Sequence, residues 1–150
     1  PDVCTLIEHP LPTLADWRGD VYKVSDEAMW CICLRLMLVY EEGDKLYLCA
    51  AAPREWFKDG CVIRVEDAST YFGTVSFQVR SRLSKGFIEV DVKPPVRNPP
   101  RSMYIRLRHP ERRRIRYVEV EGEGRVKVGS EEELIDLGSP SKALALKVYY

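Results

Sequence analysis

The sequence has few of the residues that carry common catalytic chemistry. It contains two histidines, His9 and His109, and each precedes a proline outside any pattern typical of a nucleophile and its base. Neither common glycine-rich phosphate loop occurs. The acids considered as a catalytic pair lie in a predicted turn, at Glu41, Glu42 and Asp44, or in the surface run 131–133, where water keeps carboxylates in their ordinary ionised state. We therefore expect no catalytic residue, no cofactor and no enzyme activity in this chain.

An excess of charge of one sign and a long apolar run are also lacking. The 23 basic and 23 acidic side chains balance to a net charge of zero, which argues against nucleic acid or an acidic membrane surface as a partner. The longest apolar stretch, 29–40, is shorter than the roughly 18 residues of a membrane span and is interrupted by Arg35. No signal peptide is recognisable at the start. The sequence predicts no membrane partner.

Cysteine is present in an odd number. The five cysteines lie mostly in apolar surroundings, which indicates reduced thiols, although one disulfide stays open if the protein is exported. The C-x-C pair Cys31 and Cys33 has no second pair and no nearby histidine, so we expect no metal site. The cellular compartment does not follow from these counts.

The first third of the chain predicts an arm and a helix. Residues 1–24 carry prolines at positions 10 and 12 among scattered apolar side chains, which predicts an irregular arm. Ser25 is a candidate N-cap for a helix that continues through the apolar residues 28–40. Such a helix is usually buried on every side. Alternation within the same run leaves a central strand as an alternative. The second predicted domain comprises this helix and all that follows, residues 25–150.

From residue 45 onward the pattern has a period of two, and turn residues recur every eight to twelve positions. Val75, Phe77 and Val79 share one face, and the polar residues between them face the other way. The pattern predicts a mainly β fold, an antiparallel β-sandwich with one N-terminal helix and the irregular arm. The predicted strands are 45–51, 61–66, 73–83, 87–93, 103–108, 115–121, 125–128 and 143–149.

An arginine-rich strip, with seven arginines in the sixteen residues 101–116, is the densest charge feature. Arginine can bind phosphate oxygens through two parallel hydrogen bonds, so the strip is a candidate anion-binding site, and binding of nucleic acid or another anionic polymer is an alternative function. Its candidate residues are Arg106, Arg108, Arg112 and Arg114. The alternative is a solvated sheet face on which these arginines pair across strands with Glu89, Asp91, Glu119 and Glu121.

Aromatic side chains supply the remaining candidates. Trp56, Tyr71 and the neighbouring Arg54 form the candidate carbohydrate-binding set, because flat rings can stack on sugar rings. The alternative for Trp56 is a lid over the hydrophobic core.

Several stretches resemble one protein family. LRLMLVYEEGDKLYL at 34–48 and PREWFKDG at 53–60 are followed by ASTYFGTVS at 68–76, IRLRHP at 105–110 and IRYVEV at 115–120. Together they resemble the C-terminal all-β domain of large bacterial six-hairpin glycosidase-like proteins, in which the last helix of an α/α toroid leads into this domain. The resemblance covers residues 25–150.

The resemblance implies a non-catalytic accessory domain that supports a catalytic toroid in the same polypeptide. In such proteins the toroid carries the acid and the base, so no catalytic residue maps onto this chain. Polysaccharide is a further partner that the family context implies. Residues 28–40 would correspond to the last toroid helix, and in an isolated chain they are a candidate segment for self-association.

Overall fold

The computed structural model describes residues 24–121, 124–126 and 133–150. Contacts divide the chain after Leu36, so that the helical part and the unit Met37–Tyr150 are separate units. The predicted arm, residues 1–24, lies outside the described residues except for its last one. Among the described residues, no helix has the length and apolar character needed to cross a membrane.

Helix α1 runs over Val24–Leu38, so the helix interpretation of this segment is confirmed. Its ends differ from the prediction. The helix already includes Ser25, which is therefore not the residue that precedes it. It ends before Tyr40, because strand β1 (Val39–Glu42) pairs with strand β2 (Lys45–Leu48) around a tight turn at Gly43. Gly43 has a φ of 58°, a left-handed value that glycine adopts at little cost.

The expectation that this helix is buried on every side is wrong. Its large apolar side chains are between 41% and 62% exposed; they are Met29, Trp30, Ile32, Leu34 and Leu36. Cys31 and Cys33 are exposed as well. The helix is apolar on most of its surface, as predicted, but an apolar composition does not determine whether another part of a protein covers that surface.

The unit Met37–Tyr150 is a β-sandwich, and the mainly β prediction is confirmed. Beyond β1 and β2, the described strands are β3 (Val62–Thr70), β4 (Gly73–Arg82), β5 (Phe87–Lys93), β6 (Ser102–Arg106), β7 (Tyr117–Val120), β8 (Gly124–Val126), β9 (Leu134–Gly138) and β10 (Leu144–Tyr149). The first sheet, sheet A, has four of them in the order β1-β2-β6-β9. The second, sheet B, has six in the order β3-β4-β5-β10-β7-β8. Among the described strands, all pairs are antiparallel except β2 with β6.

Strand boundaries show where the pattern was informative. β5 has the predicted limits, while β3 continues to Thr70 past an irregularity between Val65 and Ala68. Asp67 takes a left-handed φ of 49° there, and its amide donates to the Ser76 hydroxyl at 2.9 Å. β9 was not predicted, because Leu134, Ile135 and Leu137 follow a charged run and only Ile135 is buried. Short edge strands of this kind carry little alternation.

The hydrophobic core lies between the sheets and draws on both. Sheet A contributes Leu46, Leu48, Met103 and Ile105, and sheet B contributes mainly the inward residues of β4, β5 and β10. Phe57, in the 3₁₀ turn Arg54–Phe57, is fully buried in the same cluster. Every fully buried core residue belongs to the unit Met37–Tyr150, so this unit has a core of its own.

Candidate functional site

Three tyrosines form a row across the outer face of sheet A, and this tyrosine row is the candidate site. Tyr40 in β1 lies opposite Tyr47 in β2, and Tyr47 lies beside Tyr104 in the parallel strand β6. Alternation sends their neighbours into the core: Val39, Leu46, Leu48, Met103 and Ile105 are all buried. The row continues to Asp136 in β9, opposite Tyr104. Three rings therefore stand on one face because the registers align them.

The rings of the tyrosine row stack on one another. The ring centroids of Tyr47 and Tyr104 are 5.1 Å apart with an interplanar angle of 19°, and those of Tyr40 and Tyr47 are 5.9 Å apart at 40°. Partial burial, then the nearby Glu42 carboxylate, raises the pKa of Tyr47 above its usual value. Tyr47 therefore stays a neutral phenol at physiological pH and can donate a hydrogen bond.

This geometry favours a protein surface over a sugar platform. A sugar ring stacks on an open aromatic face, whereas Tyr47 and Tyr104 use ring faces on each other. Tyrosine combines an apolar ring with a polar hydroxyl, and this combination makes it common in protein interfaces. The row gives no sign of a tyrosine activated as a nucleophile. Activation would require a lowered pKa, and the Glu42 carboxylate helps to raise the pKa of Tyr47.

The structure does not bring the predicted carbohydrate-binding residues together. Trp56 packs partly buried against the core, as its alternative interpretation expected. Tyr71 lies in the turn between β3 and β4, 85% exposed, and its amide donates to a Glu41 carboxylate oxygen at 2.6 Å. Trp56 precedes β3 and Tyr71 follows it, and a strand of nine residues spans about 30 Å. One small sugar cannot contact both rings.

Arg54 from the carbohydrate set and Arg108 from the anion set meet on one carboxylate. Glu133 forms ion pairs with both, at 3.5 Å for the Nε of Arg108. Arg54 also donates from Nη1 to the His109 carbonyl at 2.9 Å. All three charged side chains are less than one third exposed. This cluster ties the 3₁₀ turn to the segment after β6 and to the start of β9, a structural task that neither prediction foresaw.

The arginine strip does not form one solvated face. Arg106 and Arg108 are half-buried and donate to the carbonyls of Ala50 and Ala52, each at 3.3 Å, because residues 49–53 fold beside them. Arg112 and Arg114 are exposed in the loop after His109.

The predicted cross-strand partners of the strip were wrong for two acids. Asp91 pairs with Arg80 at 2.6 Å and Glu89 with Arg82 at 3.6 Å, both in sheet B, whereas β6 belongs to sheet A. Cross-strand ion pairing was the right kind of contact, but it occurs between β4 and β5. Anion binding by Arg106, Arg108, Arg112 and Arg114 stays a prediction.

His109 is buried beside the last residue of the chain. Its ring lies 4.9 Å from that of Tyr150, and its Nδ1 accepts the Glu111 amide at 3.0 Å. Burial, then the positive charge of Arg113, lowers the pKa of His109. Burial also raises the pKa of Tyr150 beyond the physiological range. A neutral imidazole and a neutral phenol at this position pack the sandwich end and have no nucleophile beside them among the contacts described.

The four described cysteines are free thiols, in line with the prediction of reduced cysteines. Burial raises the pKa of Cys49 to about 12, so this thiol behaves as a small apolar group. Within the described ranges no three His, Cys, Asp or Glu side chains cluster as metal ligands would.

The sequence pattern placed Tyr40 in the predicted helix and made neither Tyr47 nor Tyr104 a candidate residue. The sequence pattern does not contain the register between strands, and the tyrosine row forms only because the registers of β1, β2 and β6 align the three residues. Comparison with models of known protein families gives no match, and a search of curated proteins gives none either. The resemblance to glycosidase-like C-terminal domains stays a prediction that depends on its motifs.

Proposed function

We propose that this chain is a non-catalytic accessory domain that packs against the α/α toroid of a glycosidase-like protein, in the same polypeptide, and stabilises it. The observation that carries the proposal is the exposure of the apolar side chains on α1. Large apolar side chains exposed together on one element usually mark a surface that another protein part covers.

The arrangement of these side chains favours a helical domain over a second copy of this chain. At 100° per residue, Met29, Trp30, Ile32, Leu34 and Leu36 spread over about 200° of the helix circumference. A two-helix contact needs only a narrow stripe, as in a coiled coil. A helix surrounded by several helices, as inside a toroid, needs a wide apolar surface. Self-association through residues 28–40 is then the behaviour of a chain separated from its toroid.

A second feature that supports the proposal is the tyrosine row, which lies in the sandwich unit. Tyrosine ring edges and hydroxyls suit a docking surface that is partly polar. We assign the row to the same task as the helix, contact with the toroid, on the basis of its composition and stacking. The proposal gives no catalytic role to any residue of this chain, and Trp56, Tyr71 and Arg54 keep their candidate role toward polysaccharide only as an alternative.

An immunoblot tests the proposal directly. An antibody raised against the purified chain should detect, in the source cells, a polypeptide much larger than 17.3 kDa. The larger polypeptide should contain α-helical sequence next to α1 when its tryptic peptides are mapped. A band at 17.3 kDa alone would contradict the proposal.

A matched pair of variants tests the role of the helix in that larger polypeptide. Ile32 is 50% exposed on α1, and Val62 is 56% exposed on β3. Ile32→Glu should lower the calorimetric melting temperature by several degrees, because a charge would enter a helix interface. Val62→Glu should leave it nearly unchanged. Equal effects of the two variants would show that α1 has no special partner.

A further inference from the structure

The outer face of sheet B contains a cleft of about 330 Å³ that is lined by both polar and apolar residues. Four strands build it, β3, β4, β5 and β10, with Glu121 at one side. No candidate residue predicted from the sequence lines it. The cleft belongs entirely to the sandwich unit, so its shape does not depend on α1.

Strand register explains the floor of the cleft. Arg64, Gln78, Asp91 and Ala145 are consecutive partners across the four strands, and alternation points all of them outward. Each of the first three is a long or polar side chain. Ala145 interrupts the row, and Ala143, just before β10 begins, is the next position on the same face.

The two alanines create the space. Asp91 and Lys93 stand on β5 on one side of them, and Glu121 stands on the other, where its amide donates to the Ala145 carbonyl at 2.9 Å. Two short side chains between longer ones leave a hollow above β10. A ligand seated there meets methyl groups below and polar groups at both walls.

Ion pairs hold the polar groups in place. Arg80, two residues from Gln78 on the same face of β4 and outside the cleft lining, donates to Asp91 at 2.6 Å and to the Gln78 amide oxygen at 2.9 Å. These bonds leave the second carboxylate oxygen of Asp91 as an acceptor and the amide nitrogen of Gln78 as a donor. Arg64 is ion-paired with Glu66 along β3.

We propose that this cleft binds a short stretch of a neutral polysaccharide. Sugar hydroxyls donate and accept at once, so they match a floor on which donors and acceptors alternate. The C–H side of a sugar ring fits the alanine methyl groups. Arg64 and Lys93 supply two positive charges against the three negative charges of Glu66, Asp91 and Glu121, so the cleft has no excess of positive charge that would attract an anionic polymer. The site is separate from Trp56 and Tyr71, and it does not depend on the toroid proposal.

Affinity electrophoresis of the whole chain tests the cleft. The gels contain mixed-linkage β-glucan, galactomannan, arabinoxylan or dextran, with polygalacturonate as the anionic comparison. At least one neutral polysaccharide should retard the chain. Ala145→Gln fills the cleft and should weaken the apparent association about tenfold or more. Lys147→Gln, two residues along the same face of β10 and outside the cleft, should keep wild-type retardation.

Each other outcome overturns the inference. They are no retardation by any neutral polysaccharide, retardation by polygalacturonate alone, or equal retardation of wild type and Ala145→Gln. Loss of binding in Trp56→Ala with full binding in Ala145→Gln would instead assign the sugar to the aromatic set. Urea unfolding verifies that each variant is folded, and if Ala145→Gln is not, Gln78→Ala replaces it with the same expected loss.

Discussion

The two sheets use their outward-facing arginines differently. Arg106, at the end of β6 in sheet A, and Arg108, just after that strand, are half-buried and donate to main-chain carbonyls of residues 49–53. In sheet B, Arg80 and Arg82 pair in water with carboxylates of the adjacent strand. The residue type and the alternation are the same in both. The difference comes from what lies above each face, since a segment of the chain covers part of sheet A and leaves the cleft of sheet B open.

The largest expected loss of unfolding free energy comes from a core residue of sheet A, and it can be compared with the loss from an outward residue of the same strand. Ile105 lies between Tyr104 and Arg106 on β6 but points into the core, where it is fully buried. Ile105→Ala should lower the free energy of unfolding by about 2–5 kcal/mol, through lost apolar contact and a cavity. Tyr104→Ala should cost about 1 kcal/mol, because it removes one stacked ring from the outer face. Urea unfolding measures both, and equal losses would contradict the assignment of faces.

The next largest effect should distinguish the partly buried ion pairs of Arg54 and Arg108 from the more exposed ion pair of Arg80. Glu133→Gln leaves Arg54 and Arg108 without a countercharge where water reaches them poorly, and should cost about 1–2 kcal/mol of unfolding free energy. Asp91→Asn is the matched change in sheet B and should cost at most about 1 kcal/mol, since its ion pair is half exposed. The comparison between the sheets fails if urea unfolding gives Asp91→Asn the larger loss.

Added salt should weaken the Arg80–Asp91 ion pair more than the Arg54–Glu133 ion pair, and the difference in coupling energy should be smaller than the effects above. Double-mutant cycles give the coupling energy of Arg80 with Asp91 and of Arg54 with Glu133. At about 1 M salt the Debye length falls to about 3 Å, so the first coupling should approach zero. The second should keep most of its value, because its side chains are less exposed. Equal screening of both couplings would mean that burial does not separate them.

Much of the fold followed from alternation. Val75, Phe77 and Val79 were predicted to share one face of a strand, and all three are buried in β4. Alternation assigns faces, but it does not name neighbours. The parallel pairing of β2 with β6 joins residues more than fifty positions apart, and no local pattern contains it.

The candidate sites were less predictable for the same reason. The tyrosine row needs three registers, and the cleft needs Ala143 and Ala145 placed beside the polar residues of β5. Taken singly, an outward alanine and an outward tyrosine carry no functional signal. The second feature that the pattern does not predict is which part of the chain covers a sheet face. Arg106 of β6 and Arg108 just after it are half-buried because residues 49–53 lie beside them.

The smallest effect concerns pH and the end of sheet A where His109 lies. Burial lowers the pKa of His109 in the folded chain below its unfolded value of about 6.5. Between these two pKa values the unfolded chain binds more protons, so stability should fall as the pH drops below about 6.5 and level off below the folded pKa. Protonation would also remove the acceptor for the Glu111 amide and place a charge near Arg54 and Arg113.

His109→Gln should flatten this part of the curve of urea midpoint against pH. Its amide oxygen can still accept from the Glu111 amide, but it takes up no proton. The carboxylates titrate at lower pH, so measurements between about pH 5 and pH 7 isolate the histidine. Asp91→Asn, in sheet B, should keep the wild-type slope there. If the slope survived in His109→Gln, the acid sensitivity would belong to another group, and the covered end of sheet A would be no more sensitive to acid than the open face of sheet B.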